Sequence, residues 1–146
     1  MEIKVNISGQ EVRFKKSGGT MRRYKAQTGR EWFADLDRIA RMQRKAAEML
    51  EEAQLEELAD KPKKRGKKAE ALNTDQIYAI SGAVASCYDS DPFYDLLYCM
   101  AKEADASIPD TVEEWLDTFD DFPFLEVFAD VSPMLSREMS VDAKNA

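Results

Sequence analysis

Apolar and polar residues alternate at the beginning of the chain. Ile3, Val5 and Ile7 are separated by single polar residues, and after a short Ser-Gly-Gln segment Val12 and Phe14 continue the alternation. A period of two places alternate side chains on one face of a β-strand, and Ser-Gly-Gln is suited to a turn. The pattern therefore predicts a β-hairpin. Because an isolated hairpin is only marginally stable, its apolar face is expected to pack on helices.

The spacing of apolar residues then changes to that of α-helices. Thr20 is suited to cap a short helix ending at Gln27 or Thr28, and Gly29 is suited to the left-handed conformation that often follows a helix. A long helix is predicted from Arg30 to about Ala59, with the hairpin packed on it and its second half less buried. Its apolar face consists of Trp32, Phe33, Leu36, Ile39, Ala40, Ala47, Leu50 and Ala53.

A basic segment interrupts the helical pattern. Residues 60–68 contain proline and glycine but no large apolar residue, and six of the eight residues from Lys61 to Lys68 are lysine or arginine. Such a composition is typical of a linker or flexible loop. We predict a basic flexible linker over residues 60–72.

The rest of the chain has the pattern of several helices. Asn73 with Gln76, and Thr111 with Glu114, have the spacing of helix capping boxes. Apolar stripes at helical spacing follow each of them, and another stripe lies between them. Prolines fall near the predicted helix boundaries: Pro92, Pro109, Pro123 and Pro133.

These elements predict an α+β fold that is mainly α. An N-terminal β-hairpin packs on a long helix, and a C-terminal helical bundle follows. The predicted division is an N-terminal part over residues 1–59, the basic linker over 60–72, an acidic helical lobe over 73–139 and a frayed tail over 140–146.

Charge is distributed unevenly along the chain. The net charge is −7, but residues 1–70 carry +6 and residues 71–146 carry −13. Such a split suggests a surface for a partner, a charge match within the chain or head to tail between copies of it, or two lobes with different ligands.

The sequence lacks residue types and motifs that several kinds of catalytic and metal site require. The chain has no histidine, no glycine-rich phosphate loop and two cysteines far apart, which predicts no catalytic, metal or cofactor site and two thiols that are small core hydrophobes. Carboxylates at Asp117, Asp120 and Asp121 leave an enzyme as a third hypothesis, but such groups usually solvate helices. With no signal-peptide core or membrane-length apolar run, the protein is expected in the cytoplasm.

The acidic half is unusually rich in phenylalanine. A short helix with aromatic residues on more than one face cannot bury all of them in a small lobe, so some are expected to form an apolar patch with an acidic rim. An amphipathic helix of a partner would suit such a surface. The predicted partner-binding residues are Phe119, Phe122, Phe124, Phe128, Met134 and Leu135.

The basic segment from Lys61 to Lys68 supports an alternative function, a small nucleic-acid-binding regulator. Its cations would neutralise phosphates, and binding would weaken steeply with salt and vanish when the lysines become glutamine. However, the segment contains no aromatic residue for base stacking, and the −13 half would repel a phosphate backbone. A solvated linker, available for contact with an acidic protein surface, is therefore favoured over a nucleic-acid-binding segment.

The order of motifs resembles the tail assembly chaperones of long-tailed bacteriophages and prophages. A hairpin precedes Thr-Met-Arg-Arg-Tyr-Lys at 20–25 and Thr-Gly-Arg-Glu-Trp-Phe at 28–33, and Glu-Glu-Trp-Leu-Asp follows at 113–117 before a helix of Phe and Leu. The basic linker departs from the family pattern. The matching positions, expected to be structural, are Arg23, Tyr24, Gly29, Arg30 and Trp115.

The resemblance implies a protein binder and not an enzyme. Chaperones of this family bind the tape measure protein, a very long helical chain, keep it soluble while tail tube subunits polymerise around it, and are absent from the mature virion. Many also form a longer product by a −1 ribosomal frameshift. Lys144 and Asn145 are residues that the slippery heptamer A AAA AAC would encode, and the codons at positions 143–145 of the gene test this expectation.

Overall fold

The computed structural model of the chain describes residues 1–60, 82 and 85–135. The elements in chain order are β1 (Glu2–Ile7), β2 (Gln10–Lys15), α1 (Thr20–Thr28), α2 (Trp32–Asp60), α3 (Asp91–Ala104), α4 (Val112–Leu116) and α5 (Phe124–Val131). The predicted α+β, mainly α class is confirmed. The basic segment 61–68, most of the helix predicted from Asn73 and the tail 140–146 lie outside the described residues.

The N-terminal hairpin has the predicted strands and turn. β1 and β2 pair antiparallel, with Ile3 opposite Phe14. Ser8 and Gly9 have φ of 50° and 83°, so both turn residues are left-handed, which matches the twist of the two strands. The side-chain oxygen of Asn6 accepts a hydrogen bond of 3.0 Å from the Gly9 N–H. The period-two pattern was thus sufficient to locate this element.

The short helix α1 begins and ends where predicted, but its N-terminal cap differs. Gly19 is the N-cap residue, and no side chain caps the helix. The Thr20 hydroxyl instead accepts a hydrogen bond of 2.8 Å from the Ser17 N–H and donates one of 2.6 Å to Glu103. The predicted cap at Thr20 is therefore wrong, because this hydroxyl is used in a long-range contact that the sequence pattern does not reveal.

Gly29 ends α1 in the predicted left-handed conformation, with φ of 77°. We expect Gly29→Ala to lower the free energy of unfolding by about 1 kcal/mol, because a Cβ at positive φ clashes with the backbone. Urea unfolding followed by circular dichroism measures this. Gly18→Ala is the matched control, since neither position has an atom within 4 Å of an added Cβ and only Gly29 has positive φ. Equal stability of the two variants would contradict the expectation.

The long helix α2 begins two residues later than predicted and ends one residue later. The delay follows from the left-handed turn at Gly29, after which the Arg30 N–H bonds to the Thr28 hydroxyl at 3.0 Å. The predicted apolar face is only partly buried. Phe33 is 55 % exposed, since it lies a quarter turn away from the buried Trp32, and Leu50 is 40 % exposed in the less buried half.

The described residues form two compact units that do not follow the predicted division. One contains residues 1–37 together with the residues described from Ser90 onward, and the other contains those described between Arg38 and Asp89. The hairpin packs mainly on α3 and contacts α5, so its predicted packing on the long helix is corrected. The strands and α3 lie far apart in the sequence, so patterns within a few residues could not predict that they pack together.

Helix α3 forms the centre of the first unit. It is buried along most of its length, and β2, α1, α4 and α5 all pack against it. Strand residues and helix residues from opposite ends of the chain therefore share one core. Its fully buried large side chains outside α2 are Ile7, Phe14, Tyr24, Phe93, Leu96, Leu97, Met100, Val131, Met134 and Leu135.

In the second unit, part of α2 contacts the segment before α3. The Arg38 guanidinium bonds to the Asp89 carboxylate at 2.7 Å, and the Asp89 N–H donates to the sulfur of Met42 at 3.0 Å. Ile39 and Ala46 are buried. No helix among the described residues is long and apolar enough to cross a membrane.

Candidate protein-binding surface

Aromatic side chains from five elements and loops meet beside α3. Trp115 is central: its ring lies 5.3 to 6.5 Å from four others, mostly edge to face, the geometry preferred by aromatic quadrupoles. We call the following set the aromatic cluster: Phe14, Phe93, Tyr94, Tyr98, Trp115, Phe119, Phe122, Phe124 and Phe128.

The loop after α4 is held against the hairpin turn. The Ser8 hydroxyl donates to the Asp121 carbonyl at 2.5 Å and accepts from the Asp121 N–H at 3.1 Å. The Gln10 amide donates to the Thr118 carbonyl at 2.8 Å. These hydrogen bonds join residues more than one hundred positions apart. They fix the segment that carries Phe122 and so place its ring at the edge of the aromatic cluster.

One edge of the aromatic cluster reaches the surface. Leu125 is 43 % exposed, while Tyr94, Phe122 and Phe124 are half-buried. The Tyr94 ring lies 5.7 Å from that of Phe122 and 5.2 Å from that of Phe124. These four residues form what we call the apolar patch. Leu125 directly follows Phe124 in α5, and tyrosine is among the residue types enriched at the energetic centres of interfaces.

The six predicted partner-binding residues divide into two groups. Phe119, Phe128, Met134 and Leu135 are buried in the core of the first unit, so their side chains contact the chain itself. Phe122 and Phe124 lie in the apolar patch. The prediction omitted two residues of the patch, Tyr94 and Leu125. The helical pattern of apolar residues did not single out Tyr94. The position of Leu125 on the outer side of α5 depends on how that helix packs.

The apolar patch lies in an acidic part of the chain. Between Asp89 and Leu135 there are thirteen aspartates and glutamates and a single basic residue, Lys102. The Lys102 ammonium donates to two carbonyls and to the Asp110 carboxylate, at 2.7 to 2.9 Å. Burial, and secondarily the Asp121 charge, raise the pKa of the Tyr94 hydroxyl. The charge around the patch is therefore negative.

A buried polar network links α1, α2 and α3. The Tyr24 hydroxyl donates to the Asp35 carboxylate, Arg30 Nε donates to Asp35 at 2.9 Å, and Arg30 Nη2 donates to Asp95 at 2.5 Å. Burial, followed by the Asp35 carboxylate, raises the pKa of Tyr24. We call these four residues the buried polar network. Each contact satisfies a group that would be costly to bury alone.

A second group of polar contacts ties α1 to α3. The Glu103 carboxylate accepts hydrogen bonds from the Ser17 hydroxyl at 2.5 Å and the Thr20 hydroxyl at 2.6 Å, and lies 3.4 Å from Arg23. Nothing in the local pattern around Glu103 distinguishes it from a solvent-exposed helix residue. The tertiary pairing of α1 with α3 is what gives it this role.

The five positions on which the resemblance to the phage chaperones rests all make internal contacts. Tyr24 and Arg30 belong to the buried polar network, Arg23 pairs with Glu103, Gly29 ends α1, and Trp115 is central in the aromatic cluster. Asp35 and Asp95 were not predicted. The sequence did contain a signal for Asp35. It is a charged residue on the predicted buried side of the long helix, where Leu36 and Ile39 also lie, and a charge there needs a partner.

The remaining candidate groups are three carboxylates that follow α4. Asp117, Asp120 and Asp121 are exposed. Within the ranges that the structure describes, no three histidine, cysteine or acidic side chains are grouped so that they could hold a metal ion. Comparison of the chain with protein families, with curated proteins and with solved structures finds no match.

Neither cysteine is in a disulfide, and the two have different surroundings. Burial raises the pKa of the Cys99 thiol to about 12, and only the thiolate is a good nucleophile. We expect a disulfide reagent such as DTNB at pH 8 to leave Cys99 unmodified in the folded chain, while the half-buried Cys87 reacts. Urea should expose the second thiol. In a Cys87→Ser variant, rapid reaction of the folded chain would contradict the expectation.

Proposed function

We propose that this chain is a phage tail assembly chaperone that acts in the cytoplasm of the bacterial host. It binds helices of the tape measure protein, keeps that protein soluble and helps to recruit tail tube subunits, and it is absent from the mature virion. The observation that carries the proposal is the apolar patch of Tyr94, Phe122, Phe124 and Leu125 on an acidic surface. The motif order that resembles the family supports it.

The size of the patch suits a chaperone that must release its client. Completely burying one leucine or phenylalanine side chain contributes about 1.5–3 kcal/mol, and the patch residues are already half-covered. Each site would therefore bind weakly. Many copies along a long helical client would mask its apolar stripes, and polymerising tube subunits could still displace them.

The ionisable groups that are bonded to one another support a binding role over a catalytic one. Tyr24, Arg30, Asp35 and Asp95 are bonded to one another, and the rings of the aromatic cluster pack on one another. General acid–base catalysis needs a group within hydrogen-bond reach of a substrate. The described polar clusters instead use their donors and acceptors to join elements of the fold.

Co-expression with the tape measure protein encoded in the same gene neighbourhood tests the proposal. We expect that protein to be insoluble when expressed alone, and to be soluble and co-purify with this chain when the two are expressed together. A tape measure protein that stays insoluble in the presence of the folded chain would refute the function. An unrelated acidic protein expressed at the same level is the control for non-specific solubilisation.

A further inference from the structure

The surroundings of the apolar patch restrict what can bind there. Within the loop and helix that carry Phe122, Phe124 and Leu125, the exposed charged residues are all acidic: Asp117, Asp120, Asp121, Glu126 and Asp130. A partner with acidic residues beside its apolar contact would bring like charges together, which disfavours binding. A partner with basic residues there would be attracted.

Resting on the proposed function, we propose that the segment bound at the apolar patch is an amphipathic helix whose apolar stripe is flanked by lysine and arginine. Leu125 and the edges of Phe122 and Phe124 contact the stripe, and Asp121 and Glu126 face the cations. The patch thereby selects among the helices of a long client by the charge beside their apolar residues.

The two contributions have different physical roles. Burial of Leu125 is not weakened by charge screening and holds the complex together, whereas the exposed charges accelerate association and reject acidic helices. Exposed charges are screened over about 8–10 Å at ionic strengths near 0.1–0.15 M. Raising the salt concentration should therefore weaken binding of a basic helix and narrow the difference between basic and acidic helices.

Two designed peptides provide the probe. Both are amphipathic helices with the same leucine stripe, flanked by lysine in one and by glutamate in the other. We expect the lysine peptide to bind the full chain at least tenfold more tightly in about 50 mM salt, with a smaller ratio in about 500 mM salt. Fluorescence anisotropy of labelled peptides measures both affinities. Equal binding of the two peptides at low salt would overturn the inference.

Matched variants locate the binding to the patch. Leu125→Ser should lower the affinity for the lysine peptide at least fivefold. Leu50→Ser, at a leucine of similar exposure on α2, should change that affinity less than twofold. Asp121→Asn with Glu126→Gln should reduce the preference for lysine, and Glu48→Gln with Glu52→Gln is the control of equal charge change. Circular dichroism establishes that each variant folds. Equal effects of patch and control variants would overturn the inference.

The same variants separate this inference from the proposed function. If the tape measure protein is kept soluble by the wild-type chain and equally by Leu125→Ser, the function stands and the patch assignment fails. If the peptides are discriminated but the tape measure protein stays insoluble, the function fails and the surface chemistry stands. Light scattering of the chain alone tests a second copy as the occupant: a dimer that Leu125→Ser dissociates would overturn the inference.

Discussion

Replacing Trp115 with alanine is expected to lower the free energy of unfolding by about 3–5 kcal/mol. Trp115 is 2 % exposed and contacts the rings of Phe14, Tyr98, Phe119 and Phe122. Alanine would leave a cavity that rings from different elements cannot all move to fill. Since domains are stable by only about 5–15 kcal/mol, the loss is a large share of the total.

Urea unfolding followed by circular dichroism measures the effect of this substitution. Trp115→Phe should lower the free energy of unfolding by less than Trp115→Ala, because a smaller ring retains part of the edge-to-face contacts. Glu113→Ala, two residues away and exposed on α4, should stay within about 0.5 kcal/mol of the wild type. A Trp115→Ala chain within about 1 kcal/mol of the wild type would show that the aromatic cluster is not a principal source of stability.

Arg30→Gln is expected to destabilise the chain by about 2–3 kcal/mol. Removing one partner of a fully buried ion pair costs about 3–5 kcal/mol, and we expect less because the Arg30 side chain is 38 % exposed. The substitution leaves Asp35, which is 1 % exposed, and Asp95 without their shared cation. Lys25→Gln is the control. Its ion pair with Glu31 is exposed on both sides, so the loss should be about 0–1 kcal/mol.

The pH dependence of Arg30→Gln has a definite sign. Burial already raises the pKa of Asp95 above its ordinary value, while Arg30 lowers it. Removing Arg30 raises it further. An acid with a higher pKa in the folded state binds more protons when folded, so stability rises as the pH falls toward that pKa. The deficit of Arg30→Gln should shrink between pH ~7 and pH ~5. A deficit that grows over this range would contradict the network.

The hairpin and the capping box at Thr111 show how far local patterns reach. The strand alternation and the Ser-Gly turn located β1 and β2, and the Glu114 N–H bonds to the Thr111 hydroxyl at 3.1 Å, as the capping-box spacing predicted. Each feature depends on residues within a few positions of one another. Backbone conformation and side-chain period suffice for them, so a single sequence carries the information.

The pairing of α3 with the hairpin shows where local patterns end. The sequence divides at the basic segment 60–72, which suggested an N-terminal part and a C-terminal lobe. The structure instead places residues 1–37 with those described from Ser90 onward. Shape and burial decide which apolar faces pack together, and neither produces a periodic pattern in the sequence. The same reason explains the buried polar network, whose Arg30 and Asp95 are sixty-five positions apart.

For the candidate surface too, some properties were predictable from the sequence and others depend on the tertiary structure. Its acidic charge and its abundance of phenylalanine follow from composition, and these alone predicted an apolar patch with an acidic rim. Which residues form that patch was decided by tertiary packing. Docking of α5 and of the loop before it buried Phe119 and Phe128, left Phe122 and Phe124 half-covered and exposed Leu125. Composition sets how much apolar surface a chain has, and only the packed fold decides which part of it meets the solvent.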